Sequence, residues 1–253
     1  VLRALAAELP HERFLYLGDM ARLPYGTKSR ETIVRYALQA ADELVRRGIK
    51  LLVVACNTAS AVALAAMRER YADLPVLGVI EPGADAACAA TQSQRIAVIA
   101  TEGTVRDGAY RQAILRRLPQ AEVEALACPL FVALAEEGWV TGEVAEAAAR
   151  RYLAPLLREA KSAPDTLVLG CTHFPMLRDT IAAVIGTGIT IVDSAATTAR
   201  VTAVELHRLQ LHRQNGPGEF RFLATDGAER FARVGSAFLG RAILREEIEL
   251  LDL

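Results

Sequence analysis

Two segments of the chain carry the same short arrangement of reactive residues. Leu52 Val53 Val54 Ala55 Cys56 Asn57 Thr58 and Leu167 Val168 Leu169 Gly170 Cys171 Thr172 His173 each run an apolar stretch into one small residue, a cysteine and two hydrogen-bonding residues. A helical stretch follows in each case, so each cysteine is placed at the carboxyl end of a strand and before a helix. Free backbone N–H groups and the positive end of a helix dipole stabilise a thiolate at such a place and lower its pKa. A thiolate is a base or a nucleophile. Two thiols reaching one cleft from opposite sides suit chemistry on both faces of one carbon, and racemisation is that chemistry: one base removes a proton while the other, already protonated, delivers one to the opposite face.

Other readings of these thiols are weaker. An intracellular cysteine is often just a small buried hydrophobe, but packing gives no reason to repeat a cysteine followed by two polar groups. The partners of a redox pair normally lie within a turn of each other. Cys88, in an Ala-rich run, and Cys128, before Pro129, lack the strand-end setting and are read as core. The four cysteines are too sparse for a disulfide framework and show no C-x-x-C zinc spacing. A reducing cytoplasm and no metal are therefore expected.

Further polar residues fall at strand ends. Asp19 to Gly26 follows the first expected strand, where Pro24 and Gly26 constrain a loop whose N–H groups could bind a carboxylate and Tyr25 could add a hydroxyl. Thr101 Glu102 Gly103 Thr104 opens a helix and could bind an anion, although simple capping is the commoner use of such residues. His173, two residues beyond Cys171, could hold or shuttle a proton, and one of Glu136 and Glu137 could orient it. His11, His207 and His212 sit among charged neighbours and receive no role. No glycine-rich phosphate loop is present, so no nucleotide or nicotinamide cofactor is indicated.

These residues need a scaffold, and the chain supplies an alternating one. Strands are expected at Arg13 to Leu17, Lys50 to Ala55, Val76 to Ile80, Arg95 to Ala100, Val123 to Ala127, Thr166 to Leu169 and Gly188 to Val192. Helices separate most of them, the clearest running from a Ser29 N-cap to a Gly48 stop. Such alternation predicts an α/β fold of parallel sheets with ligands beyond the strands' carboxyl ends. At 253 residues two lobes are expected, with a boundary where Glu81 Pro82 Gly83 interrupts the pattern. The tail contributes a long helix, a turn at Asn215 to Gly218 and a last strand, Glu219 to Ala224. A net charge of -1 provides no field for a polyanion, and no apolar run reaches the roughly 18 residues of a membrane span. Nucleic acid and membrane are not expected as partners.

Ala55 Cys56 Asn57 Thr58, Gly170 Cys171 Thr172 His173 and the Gly18 Asp19 to Pro24 Tyr25 Gly26 loop together resemble bacterial glutamate racemase. Gly78 to Gly83 and Cys128 to Gly138 extend the likeness over nearly the whole chain. The resemblance implies two similar lobes, each a mostly parallel sheet flanked by helices, with the active site in the cleft between them. Residues 1–81 with 193–253 would form the first lobe and 82–192 the second. It implies cofactor-independent interconversion of L- and D-glutamate, the D form being used in peptidoglycan, and a homodimer among the expected assemblies. In the family the thiolate matching Cys56 acts on D-glutamate and that matching Cys171 on L-glutamate. Residues matching Glu136, rather than Glu137, and His173 assist the second cysteine. Residues matching Tyr25, Gly26, Asn57, Thr58, Thr172 and His173 line the substrate site. The family also opens with a strand ending in Asp-Ser-Gly, and this sequence starts just beyond it, so the first lobe is expected to lack that strand and to show a gap in its sheet.

Three alternatives stand beside this function. Aspartate or another small acid is the nearest alternative substrate, since a pocket discriminates one methylene weakly. A non-catalytic acidic-ligand binding protein would bind without racemising. A cysteine hydrolase built on Cys171 and His173 lacks any oxyanion signature.

Overall fold

The computed structural model describes residues 1–157 and 163–253. Its strands are β1 Arg13–Gly18, β2 Leu52–Val54, β3 Val76–Gly78, β4 Arg95–Ala100, β5 Glu122–Ala127, β6 Thr166–Gly170, β7 Thr190–Asp193, β8 Glu219–Ala224 and β9 Ile248–Leu250. The α-helices are α1 Leu2–Glu8, α2 Arg30–Arg46, α3 Asn57–Arg70, α4 Ile80–Ala90, α5 Glu102–Asp107, α6 Ala109–Arg117, α7 Leu130–Glu137, α8 Glu143–Leu153, α9 Arg178–Ile185, α10 Ser194–Arg208 and α11 Ala228–Leu239.

Local sequence rules account for most of these. Ser29 accepts a hydrogen bond from the Thr32 N–H and so starts α2, which buries Ile33, Ala37 and Ala41 at a four-residue spacing. Gly48 beyond its end takes a positive φ of 75°, which an L side chain resists. In β4 every residue after Arg95 is buried, as a strand covered by helices on both faces requires.

All strand pairings are parallel. One lobe is built on a four-stranded sheet of order β5-β4-β6-β7. In the other lobe the strands fall into two groups, β1-β8-β9 and β2-β3, and β1 has no ladder to β2. Leu15, Leu17, Leu51 and Val53 line the space between the two groups, which is continuous with the central cavity. The tail returns to the start of the chain, with β8 beside β1 in the register Arg13 to Glu219 through Gly18 to Ala224.

The packing follows this layering. Ile99, Leu167 and Leu169 on one face of the four-stranded sheet pack with Phe131, Leu153, Phe174 and Leu177 from the covering helical segments. Ile96, Val98 and Val168 on the other face meet Tyr110, Ile114 and Ala87. Each large apolar side chain so buried contributes roughly 1.5–3 kcal/mol.

Three local expectations change. Glu81 Pro82 Gly83 does not form a break between a strand and a helix; it lies in the first turn of α4, where a proline's missing N–H is harmless. Glu219 to Ala224 is not the last strand, because α11 and β9 follow it. Cys171 is not followed directly by an α-helix: a single 3-10 turn, Phe174–Leu177, intervenes before α9.

Candidate active site

Both cysteine corners open on one cavity, about 1380 Å³ in all, that runs from the cleft between the lobes into the space between the two strand groups of the first lobe, and Asn57, Thr58, Glu136 and His173 also line it. Tyr25, Gly26, Cys56, Cys171 and Thr172 complete the set that sequence singled out. Fold and motif therefore bring every expected site residue to one place.

Cys56 is the N-cap of α3 and makes no capping hydrogen bond through its sulfur, but the N–H groups of Ala59 and Thr58 and the Thr58 hydroxyl lie close enough to favour the thiolate. Sequence alone predicts a lowered pKa there. In the structure burial pushes the Cys56 thiol up, and the α3 donors only partly offset it. Negative charge on Cys171 pushes it up as well. An ionised Cys171 therefore makes the Cys56 thiol hold its proton more firmly.

The Cys171 corner is organised differently. His173 Nδ1 lies 3.8 Å from the Cys171 sulfur, and its Nε2 lies 3.1 Å from Glu136 Oε1. Burial by itself lowers the His173 pKa, but the partnerships with Cys171 and Glu136 outweigh it and raise the value to about 9. Hydrogen bonding to His173 holds the Glu136 carboxyl below its usual range, against burial and with further help from Arg230. Glu136 is thus held as an anion, and His173 keeps its proton beside the Cys171 sulfur. Glu136, not Glu137, makes these contacts.

Residues that sequence reasoning passed over complete this corner. The other Glu136 oxygen accepts from Arg230 at 2.5 Å, Arg233 donates to the Glu136 carbonyl, and the Phe238 ring meets His173 edge-on at 5.3 Å. All three lie on α11. The apolar spacing of Ala228, Phe231, Gly235 and Phe238 was the available signal for that helix.

The remaining lining residues are held from both lobes. The Tyr25 hydroxyl donates to Asp19 at 2.5 Å, and Asp19 also accepts from Thr225 at 3.0 Å. Burial and Asp19 push the Tyr25 pKa far up, so the phenol stays neutral with its proton committed to Asp19 and its oxygen free to accept. Thr58 meets Thr101 at 2.9 Å and Thr104 at 3.2 Å, while Thr101 also caps α5. Gly26 lies so close to Thr101 that a Cβ would approach within 2.7 Å of it. Only glycine allows the loop to touch α5 there.

Cys88 and Cys128 do not line the cavity. Cys128 is fully buried, and burial pushes its thiol up to about 12; Cys88 packs beside the second apolar cluster. Among the described residues no group of three His, Cys, Asp or Glu side chains is placed to hold a metal ion. No helix among them is long and apolar enough to cross a membrane.

The two-lobed α/β fold with a cysteine from each lobe lining its cleft is that of an amino-acid racemase, an isomerase. Comparison with known proteins makes the class specific. Residues 1–202 match the model of the Asp/Glu/Hydantoin racemase family. Glutamate racemase of Geobacter metallireducens is 53% identical over 241 residues, 95% of this chain and 88% of that protein. The Neisseria meningitidis glutamate racemase is 44% identical over all 253 residues, covering 92% of its own length. Among solved structures, a Bacillus anthracis glutamate racemase isoform superposes with a TM-score of 0.93 at 34% identity, over 100% of this chain and 92% of that one. Glutamate racemase of Francisella tularensis in complex with D-glutamate gives 0.91 at 33% identity, over 99% and 92%. The chain belongs to the Asp/Glu/Hydantoin racemase family, and within it to the glutamate racemases. It is an enzyme, an amino-acid racemase of the isomerase class.

Proposed function

We propose that the chain interconverts L- and D-glutamate through two thiols, Cys56 and Cys171, and so supplies D-glutamate for peptidoglycan. In this reading residues 1–81 with 193–253 form one lobe, 82–192 form the other, and each contributes one acid–base group. Cys171 as thiolate takes the α-proton of L-glutamate; the C–H bond breaks, an S–H bond forms, and the electron pair spreads from Cα into the carboxylate. The Cys56 S–H then gives its proton to the opposite face, leaving the thiolate there. The D-to-L direction runs the same steps in reverse. Both enzyme forms interconvert by exchange with solvent.

The observation that carries the reading is the pairing of unlike environments around two matched cysteines. Burial keeps a proton on Cys56, whereas Cys171 stands beside His173, itself held by the Glu136 anion. Tyr25, Gly26, Asn57, Thr58 and Thr172 are assigned to substrate, with the Tyr25 oxygen suited to accept from its ammonium group. The choice of glutamate rests on the named relatives, one of them solved with D-glutamate. The chemistry calls on no cofactor, so dialysis against a strong chelator and treatment with a carbonyl reagent are expected to leave activity unchanged.

Conversion of L-glutamate in heavy water, sampled early and resolved by chiral chromatography with mass detection, tests the mechanism. The new D-glutamate is expected to carry deuterium while the remaining L-glutamate stays largely protiated. A largely protiated product overturns the two-thiol mechanism. Racemisation of aspartate in preference to glutamate overturns the substrate, and saturable binding without racemisation overturns the activity.

A further inference from the structure

We propose that Tyr110 is a positioning residue that fixes the side-chain amide of Asn57, turning its N–H groups toward the substrate; this rests on the reading that Asn57 binds substrate. Tyr110 belongs to α6, in the opposite lobe from Asn57, and is almost wholly buried. Its hydroxyl donates to Asn57 Oδ1 at 2.7 Å. The Ser194 side chain, at the start of α10, lies beside the Tyr110 hydroxyl next to Gly83. Asn57 is only 3% exposed, yet its Nδ2 has no partner in the protein.

A buried amide with one end bonded and the other empty is costly, and such a group is retained where a ligand completes it. Asn57 lines the cleft beside Cys56. With Oδ1 taken by a donor, the amide can present only N–H to what enters, and an N–H suits a carboxylate or the oxygens on which charge gathers when Cα is deprotonated. An unheld amide could turn over and face the same oxygens with its own.

The space for Tyr110 is itself built into the chain. A Cβ on Gly83 would come within 2.8 Å of the Tyr110 hydroxyl, and one on Gly170 within 3.1 Å of its ring. Gly170 immediately precedes Cys171, and Asn57 immediately follows Cys56. One side chain thus spans from one cysteine corner to the other, and its hydroxyl is the part that touches Asn57.

Tyr110→Phe keeps the ring and removes only the hydroxyl. It is expected to raise KM for both enantiomers about tenfold or more, with a smaller change in kcat, since a hydrogen bond to a charged group is lost. L- and D-glutamate have equal free energy, so kcat/KM must fall equally in both directions, which checks the measurement internally. If Tyr110 acts through Asn57, Asn57→Ala and the Asn57→Ala/Tyr110→Phe double variant agree within about twofold. Losses that multiply, or an unchanged KM, overturn the inference.

The amide is also read directly by NMR, independently of turnover. Its pair of side-chain signals is assigned by their disappearance in Asn57→Ala, and Tyr110→Phe is expected to shift them. Ser194→Ala, a milder change, is expected to shift them less. An unmoved pair overturns the inference whether or not the chain racemises glutamate, whereas a silent wild-type enzyme with a shifted pair overturns only the proposed function.

Discussion

His173 and Glu136 are paired through Nε2 and Oε1 at 3.1 Å, across the gap between β6 and α7. The pairing leaves the other imidazole nitrogen to face Cys171, so one residue links the Glu136 carboxylate to the Cys171 sulfur. A histidine in this position keeps its proton well above its ordinary range, to about 9.

Glu136→Gln removes the anion and keeps the shape. Burial then acts on His173 with less opposition, and its pKa is expected to fall from about 9, while the contact with Cys171 keeps part of the upward shift. The His173 ring proton followed by NMR through a pH titration checks this. Racemisation is expected to drop on the order of 10²-fold. Because the folded pKa is raised, the stabilisation from charged His173 is complete below about 6.5 and disappears as pH rises through about 9. The variant should therefore lose more stability at low pH than at high pH, and denaturant melts across that window read the difference.

Arg230→Ala separates stability from chemistry. Its side chain is half exposed, so the ion pair with Glu136 contributes no more than about 1 kcal/mol. The expected melting change is small. Glu136 loses one of the partners that hold its pKa down, so the acid limb of the kcat profile is expected to move to higher pH. A large stability loss with an unmoved acid limb contradicts the assignment, and added salt should mimic the variant partly in the wild type.

Cysteine replacements should sort by environment. Cys56→Ser and Cys171→Ser are each expected to abolish measurable racemisation, since an alcohol supplies neither the base nor the matched acid near neutral pH. Cys128→Ala is expected to cost about 1–2 kcal/mol through a small cavity while leaving turnover within twofold. Chiral assay and thermal melts on the same preparations decide it; a few-fold loss at either site residue contradicts the two-thiol mechanism.

Asp165 is an anchor remote from the cleft. It accepts from the Thr91 hydroxyl at 2.6 Å and from the N–H groups of Gln92 and Ser93, directly before β6. Burial raises its pKa, but these hydrogen bonds outweigh it and hold the carboxyl well below its ordinary value. Asp165→Asn is expected to destabilise by about 1–3 kcal/mol. With a lowered folded pKa, the stabilisation is present above the unfolded value and is lost as pH falls through the acidic range. Urea melts at about pH 7 and about pH 3.5 should show the gap between wild type and variant closing at the lower pH.

Much of the molecule follows from the chain read in order. Period and capping placed β4, β8 and α2 almost to the residue, because the signals that set them are local: a continuous apolar run, an alternation, a Ser29 cap and a Gly48 stop. The echo of Cys56 and Cys171 likewise marked two cysteines that line one cavity, since each motif is complete within seven residues. Tertiary structure decided what depends on distant partners. The helix dipole at Cys56 is a local effect, whereas the burial that reverses its sign comes from segments distant in sequence that pack around it. Arg230 is 94 residues from Glu136, and Tyr110 is 53 from Asn57. No spacing rule links such pairs, because loops of that length impose almost no register and only the packing of one lobe on the other brings the groups within hydrogen-bond reach.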